Sequence, residues 1–171
     1  RSLAAALKTP LFRFTHQQGH VAAAAFGADR LDLLEREFLA FHVSGGTTDA
    51  LFVRPDEETV IRCSLAASSL DLKAGQLIDR IGLLLGLPFP AGPALETLAL
   101  RAPAAKKRPR ATLRGADCSL SGVENQCRKK RDEGVPPEEI ARFCLESVLA
   151  ALCGMTDALQ KEYPGLPLLY A

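Results

Sequence analysis

Two kinds of apolar spacing alternate along this chain, and each predicts its own kind of element. Ile140, Phe143, Cys144, Val148, Leu152, Met155 and Leu159 recur at helical intervals, so one face of a helix is apolar there. Pro136-Pro137-Glu138-Glu139 starts it, with proline in the first turn and acid at the positive end of the dipole. Running to Lys161, this helix spans about 35 Å. Leu77, Ile78, Ile81, Leu84 and Leu85 mark a second helix over 72–87. Short continuous apolar runs predict strands instead, at 38–43, 50–54 and 59–64, the last two joined by the turn Pro55-Asp56-Glu57-Glu58. These three form an antiparallel meander. A further strand follows Pro164-Gly165, over 166–171.

Shorter signals fill the gaps. Residues 2–8 read as the tail of a helix that Pro10 stops, and 11–14 as a short strand. Thr15 caps a helix over 16–26, in which Gly19 costs roughly 1 kcal/mol relative to alanine. Residues 31–36 form a loosely helical connector, 94–100 a short helix, and 102–114 an aperiodic Pro- and Lys/Arg-rich loop. Ser121 and Glu124 match a capping box that opens a helix to Glu133, closed by Gly134. Strands and helices in this order give an α/β class.

Composition narrows the picture only a little. At 171 residues the length gives one domain or two small ones, with 47% apolar and 24% charged residues as in ordinary globular chains. No uncharged apolar run is long enough for a membrane span. Twenty-one basic residues oppose twenty acidic ones, so net charge names no partner. Five cysteines without any CxxC spacing predict a reduced, cytoplasmic protein, with Cys144 and Cys153 as small buried apolar residues of the long helix. The chain opens on Arg1 and closes on the apolar Leu166–Ala171, which reads as a piece of something longer.

Four segments carry candidate chemistry. His16 and His20, two of the three histidines, stand at i and i+4 on one helix face, a spacing that suits two ligands of one metal; a solvated pair is the plain alternative. Gln17 follows the first histidine, where HExxH proteases need a glutamate base. Val43-Ser44-Gly45-Gly46-Thr47-Thr48 ends a strand, and its glycines can bring backbone N–H groups to phosphates or simply form a hairpin turn. It is neither a Walker loop nor GxGxxG. Lys106, Lys107, Arg108, Arg110, Arg114, Arg128, Lys129, Lys130 and Arg131 face only Asp117 and Glu124 along their stretch. That density suits nucleic acid phosphates as well as a solvated helix end, and no aromatic residue interleaves to indicate base stacking. Gly75, Asp79 and Pro90-Ala91-Gly92-Pro93 are uninformative by themselves.

In this order, His-x-x-Gly-His, VSGG-x-T, AG-x-x-x-D with LLGLPFPAGPAL, and S-x-SG resemble the glycoprotease-like family of tRNA threonylcarbamoyladenosine synthases, once described as O-sialoglycoprotein endopeptidases. The resemblance covers nearly the whole chain. It implies a two-lobed fold of the actin, sugar-kinase and heat-shock ATPase type, with 1–36 closing the first lobe and carrying the metal helix, and 37–171 forming the second lobe with its helical insertion and long helix. It implies that His16 and His20 bind iron or zinc, that His42, Val43, Ser44, Gly45 and Gly46 hold nucleotide phosphates, and that Asp79 and Gly92 contact the nucleoside. The implied reaction is an acyl transfer of threonylcarbamoyl from its adenylate to a tRNA adenosine, with ATP or the threonylcarbamoyl-adenylate as the implied nucleotide. The implied partners are tRNA along the basic stretch, other threonylcarbamoylation proteins and a second copy in a homodimer, but no membrane. Thr15, Gln18 and Thr47 replace a histidine, a glutamate and a histidine usual in the family. An N-terminal acidic strand-turn and a C-terminal metal-binding aspartate are missing from the chain, so it is expected to be inactive alone. A non-catalytic, nucleotide-binding paralogue acting as an assembly partner is the alternative.

Overall fold

A computed structural model describes residues 5–9, 11, 13–103 and 108–171. Its centre is a four-stranded sheet in the order β3-β2-β1-β6, built from β1 (Phe38–Val43), β2 (Thr48–Asp56), β3 (Val60–Ser68) and β6 (Leu168–Tyr170). The meander 1-2-3 is antiparallel, and β6 returns parallel to β1, pairing Leu39 with Leu168 and Phe41 with Tyr170. β1 lies between β2 and β6 with both faces covered, which is why five of its six residues are buried.

Period-two alternation sorts the side chains of β1 into two cores. Phe38 and Ala40 pack with Leu51, Val53 and Ile61 against Val21 and Ala25 of helix α1 (His16–Gly27). Leu39 and Phe41 point the other way, into a larger core made by α2 (Ala74–Leu84), α3 (Gly92–Ala99), α4 (Ser121–Asp132) and α5 (Pro137–Glu162). The result is three layers: α1, the sheet, and the helical insertion. A single 3-10 turn, Leu31–Glu35, links α1 to β1.

The 26-residue α5 spans about 39 Å. Among the described residues it is also the one helix long and apolar enough to cross a membrane by length and composition. Its stripe of Ile140, Cys144, Val148, Ala151, Met155 and Leu159 is buried in the larger core, and it carries the chain to β6. Of its two cysteines only Cys144 is buried; Cys153, expected inside, is exposed. Cys144 faces Cys127 of α4, and the hydrogen bond to Cys127, with burial, pushes its thiol up.

Three expectations are corrected by packing. Leu11, Arg13 and Phe14 lie in no strand, and Phe12 is outside the described residues. The loop over 102–114 ends in β4 (Thr112–Arg114), which pairs with β5 (Asp117–Ser119) around Gly115, whose φ is +64°. Residues 104–107 lie outside the described residues. The capping box at α4 is not formed: Leu120 is the N-cap and Ser121 is already helical. The cap comes from far along the sequence, because the Asp71 carboxylate accepts from Leu120 N at 2.8 Å and from Ser121 Oγ at 2.6 Å. Glu124 is thereby free to bind Arg80 at 3.0 Å and Arg128 at 2.6 Å.

Those arginines hold the Glu124 carboxyl below its ordinary value, Arg128 contributing most, against the upward push of burial. Burial also pushes Asp71 up, but the hydrogen bonds from Ser121, Leu120 and Leu72 outweigh it and leave it low. The unfolded chain therefore takes up these protons first on acidification. The stabilisation is complete above the ordinary carboxylate range near about pH 4.3 and is lost as pH falls through the lower folded values. Glu124→Gln is expected to cost about 1 kcal/mol at pH 7, since both arginines keep water contact. It should also flatten the acid limb of stability, read as urea midpoints stepped from about pH 5 to pH 3.

Candidate functional site

The site is assembled where α1 meets the end of β1. Thr15 caps α1 as expected, its Oγ1 accepting from Gln18 N at 3.2 Å while Gln18 Oε1 accepts from Thr15 N at 2.6 Å. The same glutamine is buried. Its Nε2 donates to Thr59 Oγ1 at 3.2 Å and to the carbonyl of Ile61, so the first turn of α1 is tied to β3.

That tie sets the angle of His16 and His20, which lie exposed on the next face. Their Nε2 atoms are 2.9 Å apart and the rings meet edge to face at 4.3 Å. At 2.9 Å the two nitrogens share a hydrogen bond, one ring donating to the other; neutral imidazoles at i and i+4 can also serve as two adjacent ligands of one divalent cation. Among the described residues no third His, Cys, Asp or Glu completes a metal-holding set around them.

The third histidine of the chain arrives from β1. Alternation from Phe38 and Ala40 turns His42 toward α1, where its ring lies 4.5 Å from His20 and 6.2 Å from His16. It is buried and its Nδ1 has no hydrogen-bond partner. Burial, with the neighbouring His20 and His16, pushes this imidazole below its ordinary value, against the pull of Asp49. These surroundings thus disfavour the protonated form of the His42 ring, which packs against the pair. Its side chain belongs to the histidine cluster rather than to the turn that follows it.

Val43 leads directly into that turn, with Ser44, Gly45 and Gly46 exposed. Ser44 N donates to Thr47 O at 2.9 Å, and Thr48 Oγ1 accepts from Ala74 N at 2.8 Å, joining the turn to the start of α2. The approach is close: a Cβ on Gly75 would lie 2.6 Å from Gly45 Cα and 2.7 Å from Ser44 O. The histidine cluster and the glycine turn therefore share one end of β1, the first on the α1 face and the second bridging to α2.

Comparison with known proteins shows the family of the chain. A family model described as TsaD: tRNA N6-adenosine threonylcarbamoyltransferase matches residues 1–169. The chain belongs to this family. Proteins named tRNA N6-adenosine threonylcarbamoyltransferase resemble it at 32% identity in Carboxydothermus hydrogenoformans, over 95% of this chain and 48% of that protein. In Caulobacter vibrioides the figure is 38% over 71% of this chain and 31% of that protein, and in Methanopyrus kandleri 29% over 92% and 43%. The chain spans about half the length of the relatives it covers most fully.

Of the other residues that the resemblance implies, Asp79 lies on α2 and Gly92 opens α3. Asp79 sits one turn beyond Gly75 on the same face, and its carboxylate accepts from Ala91 N at 2.8 Å. That bond places Asp79 beside Gly92, the first residue of α3. Both lie across the sheet from the imidazole pair. Of the basic stretch, Lys106 and Lys107 lie outside the described residues. Arg128, Lys129 and Arg131 pair with Glu124, Glu133 and Asp132 of α4 or its C-cap, whereas Arg108, Arg110 and Lys130 surround Phe143.

Two features escaped sequence reasoning. Gln18, seen there as a lost glutamate, is a structural anchor, and nothing local announces its partners 41 and 43 residues away. The inward turn of His42 was readable from the alternation of β1. Gly75→Ala is expected to force the Ser44–Gly46 turn away from α2 and to lower stability by about 1–3 kcal/mol, measured as a shift in thermal or urea midpoint against Gly46→Ala, whose Cβ would meet nothing within 4 Å.

Proposed function

We propose that the full-length protein transfers a threonylcarbamoyl group from its adenylate to the amino group of a tRNA adenosine, with His16 and His20 holding iron or zinc. The observation that carries this reading is the convergence of three imidazoles, two with nitrogens 2.9 Å apart, immediately before an exposed Ser-Gly-Gly turn. A divalent cation bound there supplies Lewis-acid polarisation and a template for oxygen ligands.

The chain's own residues divide the remaining work. Gly45 and Gly46 allow a phosphate to approach the backbone at the turn, and the N-terminus of α2 beneath it favours negative charge. Asp79 and Gly92 take the nucleoside end of ATP or of the threonylcarbamoyl-adenylate. In the transfer, a carbon–nitrogen bond forms at the adenosine amine as the bond between the carbamoyl carbon and the phosphate oxygen breaks. The amine loses a proton and AMP leaves. No residue of α1 brings a base beside the pair, since Gln17 and Gln18 are amides and that of Gln18 is bound to Thr59 and Ile61; a peptidase reading lacks its general base at Gln17.

Two lobes of the actin, sugar-kinase and heat-shock ATPase type would complete the cleft, with residues 1–36 ending the first and 37–171 belonging to the second. The 171-residue chain alone is then inactive, and the reaction takes place in the cytoplasm together with other threonylcarbamoylation proteins. The rival, a non-catalytic nucleotide-binding paralogue, is favoured by one observation: Thr15, Gln18 and Thr47 bring neither a carboxylate nor an imidazole to the site.

The test is threonylcarbamoylation of tRNA by the full-length protein with its partner proteins and ATP. His20→Ala is expected to reduce transfer at least about 100-fold, beyond the usual loss from an outer-shell change. Wild-type full-length protein that binds ATP and transfers nothing would establish the paralogue instead.

A further inference from the structure

We propose that a cationic basin between α4, α5 and the segment before β4 docks an unpaired stretch of RNA, with a base against Phe143 and phosphates on Arg108, Arg110 and Lys130. This deepens the reading of tRNA as substrate and rests on it.

Read linearly, the basic stretch contains no aromatic residue to stack a base. Folding supplies one. Phe143, from the first turns of α5, forms the floor of a cavity of about 480 Å³ whose other lining residues are Arg108, Pro109, Arg110 and Lys130. No carboxylate lines it. Lys130 Nζ sits 4.8 Å from the Phe143 ring centroid, so cation–π attraction parks an ammonium on the aromatic face. The contrast within α4 is informative. Arg128, Lys129 and Arg131 are matched to carboxylates of α4 or its C-cap, while among the described residues Lys130, Arg108 and Arg110 have no such ion pair. Three cations of the stretch that have no carboxylate partner among the described residues thus line this basin.

An aromatic floor rimmed by cations fits a single nucleic acid strand, because every base has a π-face and every linkage a charge. A purely electrostatic surface would need no floor, and an acidic peptide would gain little from one. Stacking a base requires Lys130 to leave the ring, and a phosphate on the same strand gives its ammonium a new partner. The basin belongs to the helical layer, across the sheet from His16 and His20. It is a docking site for the body of the substrate, away from the reacting atoms.

Fluorescence anisotropy with a labelled single-stranded octanucleotide RNA and a labelled RNA duplex, on full-length protein at several salt concentrations, tests this. Arg108→Gln and Arg110→Gln together should weaken single-strand binding at least about 10-fold and flatten the salt dependence by about two counterions. Phe143→Leu, which keeps apolar volume, should weaken the single strand by about 5- to 100-fold and leave the duplex within a factor of two. Lys129→Gln should change neither. Unchanged binding in the double arginine variant, or equal losses for single strand and duplex in Phe143→Leu, would overturn the basin. Should Phe143→Leu fail to fold by circular dichroism, the exposed arginines decide alone. His20→Ala keeps wild-type RNA affinity under this proposal even as transfer is lost, so failure of docking and failure of the transfer chemistry are read separately.

Discussion

The arrangement depends on how one buried amide fixes α1 to the sheet. Gln18 accepts from Thr15 N and donates to Thr59 Oγ1 and the Ile61 carbonyl, closing a capping box and a helix-to-strand tie with a single side chain. Leaving such a buried amide unsatisfied costs about 1–3 kcal/mol, so the helix has one preferred seat. In that seat His16 and His20 stand over the end of β1, and β1's alternation completes the cluster with His42. Gln18 is thus the anchor of α1, and the imidazole pair sits on the helix it holds.

A second constraint acts at the other side of the strand end. Gly75 has no Cβ because the Ser44–Gly45 backbone occupies that space, and Thr48 holds the start of α2 to the turn. The glycine turn is thus clamped between β1 and α2, with Asp79 and the Ala91–Gly92 step further along the same helix. The imidazole pair on one face and the glycine turn at the strand tip are neighbours through a few residues of β1, and the proposed transfer from an adenylate rests on that juxtaposition.

Much of this was legible in the sequence where a local rule applied. The strand at 38–43, the Thr15 cap and the stripe of α5 follow from apolar run, capping chemistry and helical period, and each appears where expected. Misses share a cause. Asp71 caps α4 from about 50 residues away, so the tempting Ser121–Glu124 box is unused. The strand β4 exists because it pairs with β5 and packs Leu113 against Gly154 of α5, and its own three residues are all exposed. The spacing of His16 and His20 put two imidazoles on one helix face, but the third imidazole required both strand phase and the seat of α1. Tertiary contacts between distant segments leave no mark in a local pattern.

The most direct test of the central claim is titration of the full-length protein with Co²⁺, following the visible spectrum together with the imidazole NMR signals. One equivalent is expected to bind with nitrogen ligation, shifting His16 and His20 at their Nε2 atoms and perturbing the buried His42 ring beside them. His16→Ala should abolish the spectrum while thermal stability stays close to wild type. Cobalt binding that persists unchanged in His16→Ala, or that leaves all three imidazoles undisturbed, would contradict the account.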